Sequence, residues 1–232
     1  MASRPLIITI DGPGGAGKST LARELAKRLS WLVLDTGAIY RALAFTLREM
    51  GLIDPSPELA SQVAQSLELE FQMVDSERRL LLAGRDLGEA IRTPEISRLA
   101  SFYSAWPEVR QALLPLQRAQ AQKGPLVAEG RDMGTVVFPE APLRIFLEAS
   151  PETRARRVYE DLRRKGAQVS YERLVEELRA RDRSDSTRDV APLVKSPGVV
   201  VIDSSSLSLD ETLALAWRLA RETFGVIIRP ET

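Results

Sequence analysis

The chain has 232 residues, 44% of them hydrophobic, and 32 basic residues balance 32 acidic ones. Such a chain can bury a sizeable core, while zero net charge gives no global field to recruit a nucleic-acid polymer or an anionic membrane. Cys, His and Asn are all absent, which excludes thiol nucleophiles, Ser-His-Asp triads, Cys/His zinc sites and the Asn of a protein-kinase catalytic loop.

The chain opens MASRPLIITI and passes straight into a strand-like run, Leu6–Ile10. That argues against a signal peptide, and no apolar run approaches the ~18 residues of a membrane span. A cytoplasmic, monomeric protein is the expectation. Gly12-Pro-Gly-Gly-Ala-Gly17-Lys18-Ser19 follows the strand. The string fits G-x-x-x-x-G-K-[ST], in which glycines let successive N–H groups turn inward on an anion at a helix N-terminus. Lys18 would reach the terminal phosphates of a nucleotide, and the Ser19 hydroxyl would join a Mg²⁺ shell. The same letters satisfy G-x-G-x-x-G at Gly12, Gly14 and Gly17, with Asp35 placed where a dinucleotide fold keeps its ribose acid. Lys18-Ser19, and the continuation of Asp35 into Thr36-Gly-Ala-Ile-Tyr40-Arg41, favour a nucleoside triphosphate over a dinucleotide or a purely structural turn.

Further strand-like runs are Trp31–Leu34, Leu126–Ala128, Leu143–Leu147 and Val199–Ile202. Short, nearly continuous apolar runs alternating with helical stretches predict a buried parallel sheet in an α/β protein. Between Leu67 and Ala90 the alternation of Leu67, Leu69, Phe71 and Met73, followed by a DSERR turn (75–79), predicts a small antiparallel patch. Ser150-Pro151 reads as a helix start. From Arg154 to Arg188 there are 11 basic and 7 acidic residues, read as helix, turn at Lys165-Gly166, then helix. Ser208 and Glu211 form a capping box for a last helix that places Leu213, Ala216, Trp217, Ala220 and Phe224 on one face.

A phosphate loop alone does not specify a reaction. A guanine reader of the N-K-x-D type is impossible without Asn. The remaining stretches Asp35-Thr-Gly-Ala-Ile-Tyr-Arg41, Glu129-Gly-Arg131-Asp132-Met-Gly-Thr135 and Arg181-Asp-Arg-Ser-Asp185-Ser-Thr-Arg188 concern the acceptor. The first two follow strand ends, where an open parallel sheet binds its ligands. With DGPGGAGKST, DTGAIYR, EGRDMGTVVFP and RDRSDSTRDVAPL in this order, the chain resembles the bacterial cytidylate kinase family from about residue 5 to 225. EGRDMGTVVFP is the most specific of these pieces.

The resemblance implies transfer of a phosphoryl group from ATP, with Mg²⁺, to CMP or dCMP. It implies a P-loop α/β core (1–34, 111–153 and 189–232), a monophosphate-binding domain (35–110, with an insert near 67–92) and a lid (154–188). ATP binding would fall to Gly12, Pro13, Gly14, Gly15, Ala16, Gly17, Lys18, Ser19, Thr20 and Arg157, with Ser19 toward Mg²⁺. CMP binding would fall to Thr36, Tyr40, Arg41, Ser101, Arg110, Arg131, Asp132, Arg181, Asp185 and Arg188. Arg41 and Arg131 match the grip on the acceptor phosphate, and Thr36, Arg110, Asp132 and Arg188 the cytosine pocket. Ser101, with Ser104 as its rival, matches a sugar contact together with Arg181 and Asp185. Lys18, Arg131, Arg181 and Arg188 carry the catalytic role.

Residue chemistry bears on the same positions. Cytosine offers an N4 amino donor to a carboxylate such as Asp132, although that acid could instead cap a helix or pair with Arg131. Arg154, Arg157, Arg181 and Arg188 are candidates to close over phosphates, and Asp11 to orient a Mg²⁺-bound water. Arg163, Arg164 and Arg173 read as a solvated, ion-paired face. Trp106 and Trp217 read as core residues. Alternatives to this reading are a P-loop kinase for UMP, AMP or shikimate, and a nucleotide-binding regulator without turnover.

Overall fold

The computed structural model describes residues 5–74 and 77–225. The chain divides into two compact units, one built from the segments up to Val33 and from Gly124 onward, the other from Leu34–Lys123.

A five-stranded sheet organises the first unit: β1 (Ile7–Asp11), β2 (Leu32–Asp35, of which Leu34 and Asp35 count with the second unit), β6 (Leu126–Gly130), β7 (Leu143–Glu148) and β8 (Val200–Asp203), in the order β2-β6-β1-β7-β8. β1 pairs in parallel with β6 and β7, and β7 with β8. All five residues of both β1 and β6 are buried, which explains why each reads as a continuous apolar run that ends in or near an acid. Helix α1 (Lys18–Leu29) packs Leu21, Ala22, Leu25 and Ala26 against Ile8, Ile10 and Val127 of the sheet. Helix α8 (Leu209–Phe224) begins at the expected Ser208–Glu211 capping box and buries Leu213, Ala216, Ala220 and Phe224 in the same core. Trp217 is a half-buried member of that core, and Phe224 meets Trp31 edge-on at 5.1 Å. Helices α6 (Pro151–Arg164) and α7 (Tyr171–Thr187) pack together. They are separated near Gly166, whose positive φ of 80° ends the α6 turn.

Topology places the ligand-binding edge. The chain leaves β1 toward β2 on one side and leaves β6 toward β7 on the other, although β1 and β6 are neighbours. Their carboxyl ends therefore flank the switch point of the sheet, where open α/β folds bind ligands.

The second unit contains α2 (Thr36–Glu49), α3 (Pro57–Ser66), a three-stranded antiparallel sheet of β3 (Leu69–Val74), β4 (Glu77–Leu82) and β5 (Arg85–Asp86), then α4 (Pro94–Tyr103) and α5 (Pro107–Ala119). The antiparallel patch is present, with Leu69 opposite Leu82 and Phe71 opposite Leu80. The expected DSERR turn is shorter than its sequence suggests. Glu77, Arg78 and Arg79 are strand residues opposite Val74, Met73 and Gln72, and Asp75 and Ser76 lie outside the described residues. A third strand follows a two-residue turn, Ala83-Gly84, in which both residues have positive φ (47° and 78°). That arrangement matches the twist of the flanking strands and carries only half of the usual Asn-Gly signature. Residues 111–123, read from sequence as core, fall in this unit because α5 packs on α3, where Ser61 Oγ donates to the Glu108 carbonyl at 3.1 Å. Trp106 joins Phe102 and Tyr103 in an aromatic cluster, 5.0 Å from each ring.

Leu25 is fully buried between α1 and the sheet. Leu25→Ala should cost about 2–5 kcal/mol in urea unfolding. A loss below about 0.5 kcal/mol, the range of surface substitutions, would mean that α1 does not anchor this core.

Candidate functional site

Loop 12–17 turns from β1 into α1, and Gly17, at φ 95°, is the residue before the helix. Two of its glycines are there for contact. A Cβ on Gly12 would lie 2.0 Å from the Leu147 carbonyl oxygen, and one on Gly15 would lie 3.1 Å from Arg154 Cβ. Gly14 faces Arg131 and α7: a Cβ there would stand 3.5 Å from Arg131 Nη2 and from Leu178, and 3.9 Å from Arg181 Cδ. Backbone, guanidinium groups and helix N-terminus thus converge on one small volume.

Lys18 opens α1, is buried, and donates from Nζ to the Pro13 carbonyl at 2.9 Å. Burial pushes its ammonium down to about 7, and the nearby Arg131 and Arg181 charges push the same way against the opposing pull of Glu129 and Asp11. A bound anion would reverse that shift. Ser19 Oγ donates to Glu129 Oε1 at 2.7 Å. Glu129 is the penultimate residue of β6, opposite Ile10.

Asp11 ends β1 and is spent on structure. Its two carboxylate oxygens accept from Met133 N and Gly134 N, each at 2.8 Å. Burial raises its carboxyl to about 6, relieved in part by those two N–H groups and aggravated by Asp132. The bonds hold a single wide turn over Met133–Val137, headed by the Asp132 carbonyl, which accepts from Val136 N and Val137 N at 2.9 and 3.2 Å. Gly134 is needed here: a Cβ would stand 2.9 Å from Thr9 Oγ1 and 3.1 Å from Arg144 Cδ. The turn in turn sets the backbone of Arg131 and Asp132, and the Asp132 side chain is buried.

Arg131 Nε donates to Asp185 Oδ2 of α7 at 2.8 Å, and Arg181 Nε is 3.9 Å from the same oxygen. Asp185 is buried, which works against its charge. Arg131 and Arg181 beside it outweigh the burial and hold its carboxyl below the usual carboxylate range. Arg188, just past α7, donates from Nε to the Ala191 carbonyl at 2.7 Å. Of the expected cluster, the first unit therefore brings Lys18, Arg131, Arg181 and Asp185 together around Gly14, with Asp132 following Arg131 in the chain. Arg157 lies against the outside of the loop, bonding to the Ala16 carbonyl at 3.3 Å and to Ser204 Oγ and O at 3.1 and 2.7 Å. Arg164 and Arg173 are exposed and paired with Asp161 and Glu177, as expected of a solvated face; Arg163 lies over the Tyr159 ring at 5.8 Å.

The second unit carries its own set. Asp35 caps α2 through Ala38 N at 2.9 Å and ion-pairs with Arg41 Nη2 at 3.0 Å. Gly37 leaves room for that fold-back, since a Cβ would be 2.9 Å from Arg41 Nη1. The Arg41 Nε–H is buried with no hydrogen-bond acceptor among the described residues. Thr36 is buried at the first position of α2. Arg110 is buried, donates to the Ser104 carbonyl at 3.1 Å and lies over the Tyr40 ring at 5.8 Å. Ser104 Oγ donates to the Ser101 carbonyl at 2.8 Å, so the Ser104 hydroxyl proton is used within α4 and its cap.

Sequence reading gave no individual role to Glu129, and did not foresee that Asp11 accepts from Met133 N and Gly134 N or that Arg154 bonds to the Gly14 carbonyl and Asp182. The signals were acids within the last two residues of otherwise mostly apolar strands, and an arginine in the first turn of a helix, where positive charge is disfavoured. Among the described residues, no group of three or more acids could hold a metal by itself, and no helix is long and apolar enough to cross a membrane.

The cytidylate kinase family model matches residues 8–222. A cytidylate kinase of Methylococcus capsulatus (strain ATCC 33009 / NCIMB 11132 / Bath) is 51% identical over 207 residues, 89% of this chain and 93% of that protein. One from Aeromonas salmonicida (strain A449) is 45% identical over 219 residues, 94% and 95% of the two chains. An uncharacterized protein from Eubacterium ventriosum ATCC 27560 shares the fold at 12% identity and a TM-score of 0.52, covering 94% of this chain and 99% of that one.

The depressed Lys18 ammonium makes a signed prediction. With the folded value near 7 and the free value at 10.5, the unfolded chain holds more protons between those limits, so this group destabilises the fold at low pH and ceases to as pH rises. Lys18→Met should therefore stabilise the protein more at about pH 6 than at about pH 9, in urea unfolding at each pH. An advantage that grows with pH would refute the assignment.

Proposed function

The chain belongs to the cytidylate kinase family, and on that premise we propose that it transfers the γ-phosphoryl group of ATP reversibly to CMP or dCMP, giving ADP and the diphosphate. The observation that carries the reading is the cation cluster around Gly14. Lys18 is buried next to Arg131 and Arg181, and burial together with those two charges pushes its ammonium down to about 7, an excess of positive charge that a polyphosphate would balance.

In this reading residues 12–20 and Arg157 hold ATP. Loop amides and Lys18 take the phosphates, while Arg157 braces the loop from behind. Asp132 accepts from the cytosine N4 amino group and Arg110 donates to the N3 and O2 acceptors, with Thr36, Tyr40 and Arg188 completing the base site. Uracil would set a carbonyl against the buried Asp132 carboxylate, a loss of about 1–3 kcal/mol, or roughly 5- to 150-fold. Arg41, whose buried Nε–H has no acceptor among the described residues, and Arg131 grip the acceptor phosphate. Ser101, Arg181 and Asp185 serve the sugar, and Ser101 is favoured over Ser104 because the latter's hydroxyl already donates to a carbonyl.

An oxygen of the monophosphate forms the new bond to Pγ as the bond from Pγ to the ADP oxygen breaks. The attacking oxygen is already ionised, so no strong base is required, consistent with a chain without His. What remains is alignment and neutralisation of spreading charge by Lys18, Arg131, Arg181 and Arg188. Ser19 and Glu129 fit Mg²⁺, which takes one or two protein oxygens beside waters and phosphates. Bound there, the ion would offset charge on the transferring phosphates. Helices α6 and α7 serve as the lid that excludes water, the competing acceptor.

The test is ADP formation from ATP·Mg²⁺ with CMP, dCMP, UMP, AMP and shikimate in parallel. Turnover with CMP or dCMP should exceed that with UMP about 5-fold or more, and Lys18→Ala and Asp132→Ala should each abolish most of it. ATP binding without acceptor-dependent ADP would leave a nucleotide-binding regulator, and preference for another acceptor a different small-molecule kinase. ATP binding at about pH 8 should also take up a proton as Lys18 regains its charge, read by calorimetry in buffers of different ionisation enthalpy; no uptake would separate Lys18 from the phosphates.

A further inference from the structure

Arg154 was a candidate phosphate ligand, yet it is 2% exposed and almost fully committed within the protein. Nε donates to the Ala149 carbonyl at 3.0 Å. Nη1 donates to the Gly14 carbonyl at 2.9 Å and to Asp182 Oδ1 at 3.1 Å, and Nη2 to Asp182 Oδ2 at 2.5 Å. One N–H of Nη2 is all that remains of its donor set. A guanidinium in the first turn of α6 also opposes the helix dipole. Its retention there requires the compensation that Asp182 and the two carbonyls provide.

Those partners belong to three parts of the first unit: the P-loop, the β7–α6 junction and α7. A Cβ on Gly15 would meet Arg154 Cβ and its carbonyl oxygen at 3.1 and 3.3 Å, while one on Gly14 would stand 3.5 Å from Leu178 and 3.9 Å from Arg181 of α7. Asp182 adjoins Arg181 in sequence and lies nearly one helical turn before Asp185, which takes Arg131 Nε. The P-loop and the β6 exit are thus both tied to α7, the first through Arg154–Asp182 and the second through Arg131–Asp185.

We propose that Arg154 and Asp182 form a latch that seats α7, and with it Arg181, Asp185 and Arg188, on the P-loop, making Arg154 a positioning residue and not a phosphate ligand. The inference rests on the phosphoryl-transfer reading for its kinetic consequence. The forked, two-bond geometry needs a guanidinium, because an ammonium presents a point charge that cannot span a carboxylate and the Gly14 carbonyl in the same way. Loosening α7 removes arginines from the transition state while the loop that binds ATP stays in place, so the loss belongs in kcat.

The experiment compares the full-length wild type with Asp182→Asn, Asp182→Glu and Arg154→Lys in kinetics, thermal unfolding and amide exchange. Asp182→Asn and Arg154→Lys should each lower kcat about 10- to 100-fold while the KM for ATP moves less than about threefold. Amides of 178–188 should exchange faster, those of β1 should not, and Asp182→Glu should recover most of the rate. Wild-type kcat and exchange in Asp182→Asn, or a lowered melting temperature as its sole effect, would overturn the latch. So would a rise in the KM for ATP confined to Arg154→Lys, which would make Arg154 a phosphate ligand. A wild type without turnover would sink the kinase reading instead, and the exchange of α7 would still decide the latch.

Discussion

A lysine amine buried at the mouth of a parallel sheet is the constraint on which the rest of this structure depends. A cation removed from water is unfavourable unless something answers its charge, and here the surroundings answer it only in part. Glu129 and Asp11 pull its ionisation up, while burial, Arg131 and Arg181 pull it down. The result is a site already folded and still short of negative charge. Such a site gains most from a ligand that brings several negative oxygens, and little from a neutral one.

The acids around that lysine are not interchangeable. Asp11 spends both oxygens on the amides of Met133 and Gly134 and fixes the turn that follows Arg131 and Asp132. Glu129, on the neighbouring strand, receives the Ser19 hydroxyl. Asp185 and Asp182 hold α7 through Arg131 and Arg154. Arginines divide in the same manner. Arg154 and Arg157 brace the loop through carbonyls, Arg131 and Arg181 face it, and Arg164 and Arg173 remain in water with local partners. An Arg-rich composition therefore conceals several different jobs, and only partners distinguish them.

The strands were legible because a parallel sheet buried on both faces leaves short continuous apolar runs, and β1, β6 and β7 were read within a residue or two. Helix starts at Ser150 and Ser208 were legible from local capping chemistry. The Ala83-Gly84 turn was not, since Ala carries no mark of a left-handed conformation. The placement of α5 also escaped, because its partner α3 is about 50 residues earlier in the chain and no periodicity records which helix a face will meet.

What the sequence determined by itself were features encoded over a few consecutive residues: the phosphate loop, the apolar strands, the caps and the four motifs that mark the family. Each is fixed by backbone geometry and short-range hydrogen bonding, so the order of residues suffices. What only the tertiary structure decided was the division of labour among like residues. That Arg154 faces Gly14 and Asp182, while Arg164 faces solvent, follows from how α6 and α7 pack over the loop. Charges find their partners across 28 residues of chain for Arg154–Asp182 and 54 for Arg131–Asp185. Coulomb energy depends on distance in space and on burial, and the folded packing alone sets both.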